Sequence, residues 1–174
     1  MKLSNGKTLS VVKAEADDAS DIVDFLNCAG GESDHLLFGE NEFRVSVADE
    51  EAFIAQTNSS RASVLLVGKI DDKIISTGSL IAHPRPRAAH RGEVGICVSR
   101  EFWGLGVGSC MMQALLDVAR ASHQIEVVHG GMRHDNSASV NLCKKFGFKH
   151  TGINKGFFKI GETYYDEILM SLRL

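Results

Sequence analysis

A strand that runs through a glycine-rich turn into an amphipathic helix is the feature around which this chain must be built, and it begins at Gly92. Val94, Ile96 and Val98 alternate along one side, which is the period of a strand. Ser99 to Trp103 carry no such pattern and read as a connecting loop. Gly104, Gly106 and Gly108 then fall at every second residue. Beyond them Val107, Met111, Ala114, Leu115 and Val118 recur at helical spacing, giving a long helix one apolar face.

Glycines at the start of a helix have a physical use. The first N–H groups of a helix lack intrahelical partners, and the helix dipole adds partial positive charge there. An anion reaches those donors only where side chains stay out of the way, so the turn from Trp103 to Ser109 is a candidate phosphate cradle. A nucleotide P-loop requires a Gly-Lys-Ser/Thr ending, and Gly108-Ser109-Cys110 lacks the lysine. A dinucleotide fingerprint requires a small residue three places after its second glycine. Counting from Gly104 or from Gly106 puts Ser109 or Met111 there, and neither frame fits. An acyl-coenzyme-A pyrophosphate site and a glycine-rich turn that binds nothing both stay open on this turn alone.

A chain of 174 residues suffices for one domain, 1–174, with a full core. The net charge of −3 and pI near 6.1 give no basic surface, so no nucleic-acid partner is expected. No apolar run is long enough to cross a bilayer, so no membrane association is expected. The first residues lack the apolar core of a signal peptide, and Cys28, Cys97, Cys110 and Cys143 are scattered. Reduced thiols and a cytoplasmic location are the expectation. The seven histidines are scattered as well; His83 and His90 flank one loop, and no metal site is expected.

In chain order, Leu9 to Lys13 reads as a first strand. A helix capped by Asp17 or Asp18 runs through Ala29, with Gly30-Gly31 expected to stop it. Glu32 to Arg44 reads as a loop or short helix. Val47 to Thr57 reads as a second helix, with Asp49, Glu50 and Glu51 at its dipole-favoured start. Ser63–Lys69 and Ile74–His83 are strands joined at Asp71-Asp72, and Pro84-Arg85-Pro86 breaks the second. After the central strand and its helix to about Ser122 come a strand from Ile125 to His129 and a helix from Asn136 or Ser137 to Lys145, closed by Gly147. Phe148–Ile153 and Tyr164–Leu172 are the closing strands.

Two motifs at this separation resemble the GNAT superfamily of N-acetyltransferases. The turn Trp103-Gly104-Leu105-Gly106-Val107-Gly108 is similar to its Arg/Gln-x-x-Gly-x-Gly/Ala motif, with Trp103 in place of Arg or Gln. Asn136 to Phe148 resembles its Asn-x-x-small-x-x-Leu-Tyr-x-Lys-x-Gly-Phe, with Cys143 in place of the tyrosine. The Gly92-Glu93-Val94-Gly95 stretch and the Tyr164-Tyr165-Asp166 ending are similar to the ribosomal-protein and polyamine acetyltransferases of that superfamily. The order of elements also matches. The implied fold is α/β (α+β): a mixed, mostly antiparallel sheet of about six to seven strands, flanked by about four helices, with one splayed parallel pair.

What the resemblance implies for chemistry is transfer from acetyl-coenzyme A to a primary amine or protein N-terminus by direct attack, with no metal. The pyrophosphate would sit on Trp103, Gly104, Leu105, Gly106, Val107, Gly108 and Ser109, and the pantetheine along Ile96, Cys97 and Val98. Asn136 and Lys145 would complete the coenzyme site. The Val98 N–H would stabilise the developing oxyanion, and Glu93 would take the amine's proton. Cys143 would line the site without being an essential acid. Glu32 and Asp34, with Glu40, lie where an acceptor binds and carry charge that attracts a cation. A catalytically impaired acyl-coenzyme-A sensor on the same fold is the alternative, and a homodimer is left open.

Overall fold

Residues 1–174, all described by the computed structural model, follow the order of elements predicted from the sequence. Seven strands make one sheet: β1 (Ser10–Lys13), β2 (Val64–Ile70), β3 (Lys73–Ala82), β4 (Arg91–Val98), β5 (Val127–Arg133), β6 (Lys149–Ile160) and β7 (Thr163–Arg173). Their spatial order is β1-β2-β3-β4-β5-β7-β6. Every neighbouring pair is antiparallel except β4 and β5. Four helices cover it: α1 (Ala19–Glu32), α2 (Val47–Ser59), α3 (Val107–Ala121) and α4 (Ser137–Lys145).

The sheet buries both faces, and strand alternation assigns them. Val64, Leu66 and Leu80 pack with Met111, Leu115 and Leu116 of α3 in the larger core. Leu65 and Val67 point the other way, against Ile22 of α1 and Ile54 of α2. On β4 the predicted stripe Val94, Ile96 and Val98 joins the α3 side. Glu93, Gly95 and Cys97 therefore face the α1–α2 side. The hairpin at Asp71-Asp72 has both residues in the left-handed region, at φ 49° and 61°, as a two-residue turn between twisted strands requires.

The structure corrects several expected boundaries. Gly30-Gly31 does not stop α1, which continues to Glu32. A Cβ on Gly30 would collide with the Gly39 carbonyl, so this glycine lets the following loop lie against the helix. Asp18 caps no helix with its own side chain; it accepts a hydrogen bond from the Glu15 N–H at 3.0 Å. β5 runs through Gly130-Gly131 to Arg133, and β6 runs past Ile153 to Ile160. A bulge between Asn154 and Phe158 absorbs the Lys155-Gly156 pair that lies just beyond the strand end expected at Ile153. Asp166 holds that bulge, accepting from Gly156 N–H at 3.0 Å and from Lys155 Nζ at 2.6 Å.

Candidate active site

The parallel pair opens soon after it forms. β4 and β5 are in register only from Arg91–Val127 to Glu93–His129. β4 continues to Val98 with β3 on one side and no strand on the other. The bonds at its two ends fix which groups face the gap: His83 N–H donates to Arg91 C=O, and Ser99 N–H to Ile75 C=O. In an antiparallel ladder hydrogen-bonded residues alternate, so Glu93, Gly95 and Cys97 turn their backbone groups to β3. Val94, Ile96 and Val98 turn theirs to the gap. The expectation for Cys97 is thereby narrowed: its peptide groups are committed to β3, and Ile96 and Val98 present the open edge. The Val98 carbonyl accepts the Trp103 indole N–H at 2.7 Å, so the Val98 N–H is the donor left facing the opening.

The glycine turn lies at the far end of this edge. Gly106 precedes α3 at φ 92°, and Gly104 sits at φ 74°; both values are strained for any residue with a Cβ. Gly108 has ordinary helical geometry, and a Cβ there would meet only Leu142 Cδ2, at 3.4 Å. The turn lacks a lysine in sequence, but the fold supplies one. Lys145, from the last turn of α4, donates to Ser109 Oγ at 3.0 Å. Asn136 caps α4 by accepting from the Ser139 N–H at 3.1 Å, which leaves its amide NH2 for other partners.

A cleft of about 1070 Å³ runs through the opening and draws its wall from both sides of the sheet. On the α3–α4 side the wall includes the glycine turn, Asn136 and Lys145; on the other it includes Phe38, Phe43, Phe53 and the bulge residues Phe157 and Phe158. Glu93, on the α1–α2 side, lines the same cleft, its carboxylate exposed and 3.8 Å from His129 Nε2. Burial lowers the basicity of His129, against the pull of Glu93.

Not every residue singled out in the sequence reaches this wall. Glu32 does, but its carboxylate accepts from the Arg100 N–H at 2.7 Å and from Ser99 Oγ at 3.3 Å, tying α1 to the loop after β4. Asp34 is exposed outside the cleft, and its carbonyl accepts from Arg133 Nη1 at 3.0 Å. Leu105 packs toward the larger core. Cys143 is 5% exposed within that core rather than on the cleft wall; its neighbours Asn141 and Leu142 supply the wall instead. Burial pushes the Cys143 thiol up to about 11. Burial, and then the charge of Glu32, push Cys97 up to about 12.

Among the wall residues that were missed is Glu50: read as a dipole-favoured charge at a helix start, it is 4% exposed and lines the cleft. Its spacing carried the signal: Glu50, Ile54 and Thr57 are the buried positions of α2, at i, i+4 and i+7.

Comparison with known proteins agrees with this geometry. The acetyltransferase (GNAT) family matches residues 34–148. The L-amino acid N-acetyltransferase AaaT of Escherichia coli is 26% identical over 106 residues, 61% of this chain and 65% of that enzyme. An N-alpha-acetyltransferase of Sulfurisphaera tokodaii is 31% identical over 81 residues, 46% of this chain and 48% of its own length. The matched stretches thus span about half to two thirds of these relatives. Among solved structures, an acetyltransferase of the GNAT family from Streptococcus pneumoniae superposes with a TM-score of 0.92 at 26% identity, covering 96% of this chain and 99% of that one. The yncA structure from Salmonella typhimurium, solved with its cofactor acetyl-CoA, gives 0.83 at 19% identity, covering 95% and 93%. With an open strand edge leading to a glycine turn at a helix start, and a family match over well more than half its length, this chain belongs to the GNAT acetyltransferase family.

Proposed function

We propose that the protein transfers the acetyl group of acetyl-coenzyme A to a primary amine by direct attack within a ternary complex. The observation that carries this reading is the unpaired β4 edge at Ile96 and Val98, continuous with the glycine turn at the start of α3. A pantetheine arm is an extended chain with amide groups, and it would add to that edge as a strand does. The backbone donors from Gly104 to Ser109 would hold the pyrophosphate, the Trp103 N–H being spent on the Arg100 carbonyl at 3.2 Å, with Lys145 supplying the point charge that the turn lacks.

The chemistry then follows from what faces the opening. An ammonium has no lone pair, so the acceptor must lose a proton before or during attack. Glu93 receives it, directly or through a water. The amine nitrogen bonds the thioester carbonyl carbon, and the Val98 N–H donates to the oxygen on which charge develops. Collapse breaks the carbon–sulfur bond and coenzyme A leaves as a thiolate, stable enough to depart without an acid, while the nitrogen, cationic after attack, gives its second proton to water or to that thiolate. No step runs through Cys143, since its thiol is in the core. Much of the rate comes from holding the two reactants in one cleft.

The same buried cysteine favours one other reading, an acyl-coenzyme-A sensor that has lost its chemistry. Two measurements separate the readings. Acetyl-coenzyme A should raise the melting temperature where ATP and NAD do not, because a ligand of the native state stabilises it. Thiol release from acetyl-coenzyme A should then depend on added amine. Coenzyme binding without amine-dependent release would leave the sensor, and no coenzyme binding would remove both.

A further inference from the structure

The two parallel strands part at a carboxylate and an imidazole. Glu93 on β4 and His129 on β5 are the last pair in register before the sheet opens, and register partners share a face of the sheet. Their side chains meet there, with His129 Nε2 3.8 Å from a Glu93 oxygen, the one ion-pair contact that this carboxylate makes. The two are held very differently. The Glu93 side chain is 69% exposed, and a free carboxylate on a strand turns through several rotamers. The His129 ring is 31% exposed, and its Nδ1 is buried without a hydrogen-bond partner. A neutral imidazole carries hydrogen on one nitrogen only, and an orphaned buried N–H is rarer than an acceptor left with a free lone pair. The hydrogen therefore belongs on Nε2, the nitrogen that faces Glu93. Burial is the first cause that holds the ring's basicity down; Glu93 opposes it, Arg91 of β4 and His83 beyond β3 act with it, and the Gly92 backbone acts against it. β7 sets Ser171, which does not titrate, opposite His129. His129 itself is not part of the cleft wall, so it does not meet the acceptor.

We infer that His129 aims Glu93: its Nε2–H draws in one carboxylate oxygen and leaves the other turned to the acceptor's nitrogen. Glu93 closes the remaining distance by rotating its exposed side chain. The proton that leaves the amine goes to the free oxygen, and no bond to His129 is made or broken. His129 is a positioning residue, since it acts on the reaction only through Glu93. This rests on the acetyltransferase reading above and adds what holds the base in place.

The test is thiol release from acetyl-coenzyme A by the full chain and its variants, with pentylamine, leucine and trialanine as acceptors. His129→Leu, which cannot donate, should lower kcat by about tenfold at neutral pH, because the base is present but misaimed. The acceptor's KM and the acetyl-coenzyme-A affinity should stay as in the wild type. His129→Gln, whose amide N–H reaches as Nε2–H does, should recover most of the rate. The loss in His129→Leu should shrink at high pH, where the amine is already neutral, and should vanish once Glu93→Gln is in place. A structural defect would instead lower the rate equally at every pH and in both backgrounds. The hydrogen is located without turnover: nitrogen NMR should find it on Nε2 of the neutral ring, and Glu93→Gln should move the ring's titration further down. Melting curves report folding; where His129→Leu unfolds, His129→Asn, whose shorter amide stops short of Glu93, takes its place. Hydrogen on Nδ1, a His129→Gln as slow as His129→Leu, or a loss that adds to that of Glu93→Gln would overturn the inference and leave acetyl transfer standing. Thiol release absent with every amine would instead remove the acetyltransferase reading, and this inference with it.

Discussion

At the scale of single residues, environment assigns work to carboxylates that look alike in sequence. Glu93 is exposed at the opening, Glu32 is tied to the loop after β4, and Glu50 lies in the cleft wall with little of the residue exposed. If Glu93 takes the proton, Glu93→Gln should lower kcat/KM by about 10²-fold at neutral pH. The loss should shrink at high pH, where the amine is already neutral; an unchanged pH–rate profile would leave Glu93 a surface charge. Glu50 predicts a stability effect of the opposite sense to most substitutions. Its folded titration is raised, so the ionised side chain opposes folding from the unfolded carboxyl range upward. Glu50→Gln should thus raise Tm at neutral pH and lose that gain at pH near 4. A lower Tm at neutral pH would mean that Glu50 has a partner in the fold. Cys143 keeps the register of the motif but is a short side chain that packs in the core. Cys143→Ala should keep activity at a cost of about 1 kcal/mol in stability. Cys143→Tyr, the substitution that would restore the family motif, should instead overpack the core by about 1–3 kcal/mol. Activity assays beside urea melts distinguish these outcomes, and a Tyr variant as stable as wild type would show that the side chain has room toward the cleft.

At the scale of elements, the unit from β4 through the glycine turn to α3 was legible in sequence because two periods and a row of glycines leave few alternatives. Its physical content can be checked at Gly108, which is helical and has only Leu142 near its missing Cβ. Gly108→Val should weaken acetyl-coenzyme-A binding by about tenfold or more, as its methyl groups intrude on the first N–H donors of α3, while moving Tm by only a few degrees. Unchanged affinity in the folded variant would place the pyrophosphate elsewhere. Elements were misread where one residue type serves two purposes. Gly30-Gly31 reads as a helix stop and is instead a seat for the loop at Gly39, because sequence shows that a glycine is present but not whether conformation or clearance requires it. The strand expected to end at Ile153 instead continues through a bulge at Lys155-Gly156, since the Asp166 that holds the bulge lies ten residues on, across the sheet. Lys145 could be named from its motif, but its approach to Ser109, 36 residues away, is a property of the assembled fold. Glu50 was missed because acidic residues at a helix start have an adequate explanation in the dipole, which hid the i, i+4, i+7 spacing of the buried face.

At the scale of the whole molecule, a sheet opened between β4 and β5 needs something to keep the two sides of the cleft in register. Arg133, at the end of β5, is placed to do so. It is 6% exposed, and its Nε and Nη2 donate to the two oxygens of Asp135 at 2.7 and 2.9 Å. Its Nη1 donates to the Asp34 carbonyl at 3.0 Å, and its guanidinium lies 4.3 Å from the ring centre of Tyr165 on β7. One side chain thus joins β5, the loop that follows α1, the loop that precedes α4, and β7. Losing the arginine of a buried pair costs about 3–5 kcal/mol, but Asp135 is partly exposed and water takes up some of its charge, so about 1–2 kcal/mol is the expectation for Arg133→Met. That corresponds to about 2–8 °C in Tm at neutral pH. Asp135 is held below the usual carboxylate range chiefly by its hydrogen bond from Arg133. Its contribution is therefore complete above the unfolded carboxyl range and fades as pH falls through the depressed titration, so the Tm gap between wild type and variant should narrow in acid. The functional consequence should be one-sided. The Arg133 guanidinium contacts Asp34, Asp135 and Tyr165 rather than the β4 edge or the turn at α3, whereas the loop from Ser33 to Phe43 forms part of the cleft wall. Arg133→Met should raise the KM for the amine and leave acetyl-coenzyme-A affinity as it was. A variant that loses both affinities together, or neither, would mean that the cleft does not depend on this residue for its acceptor side.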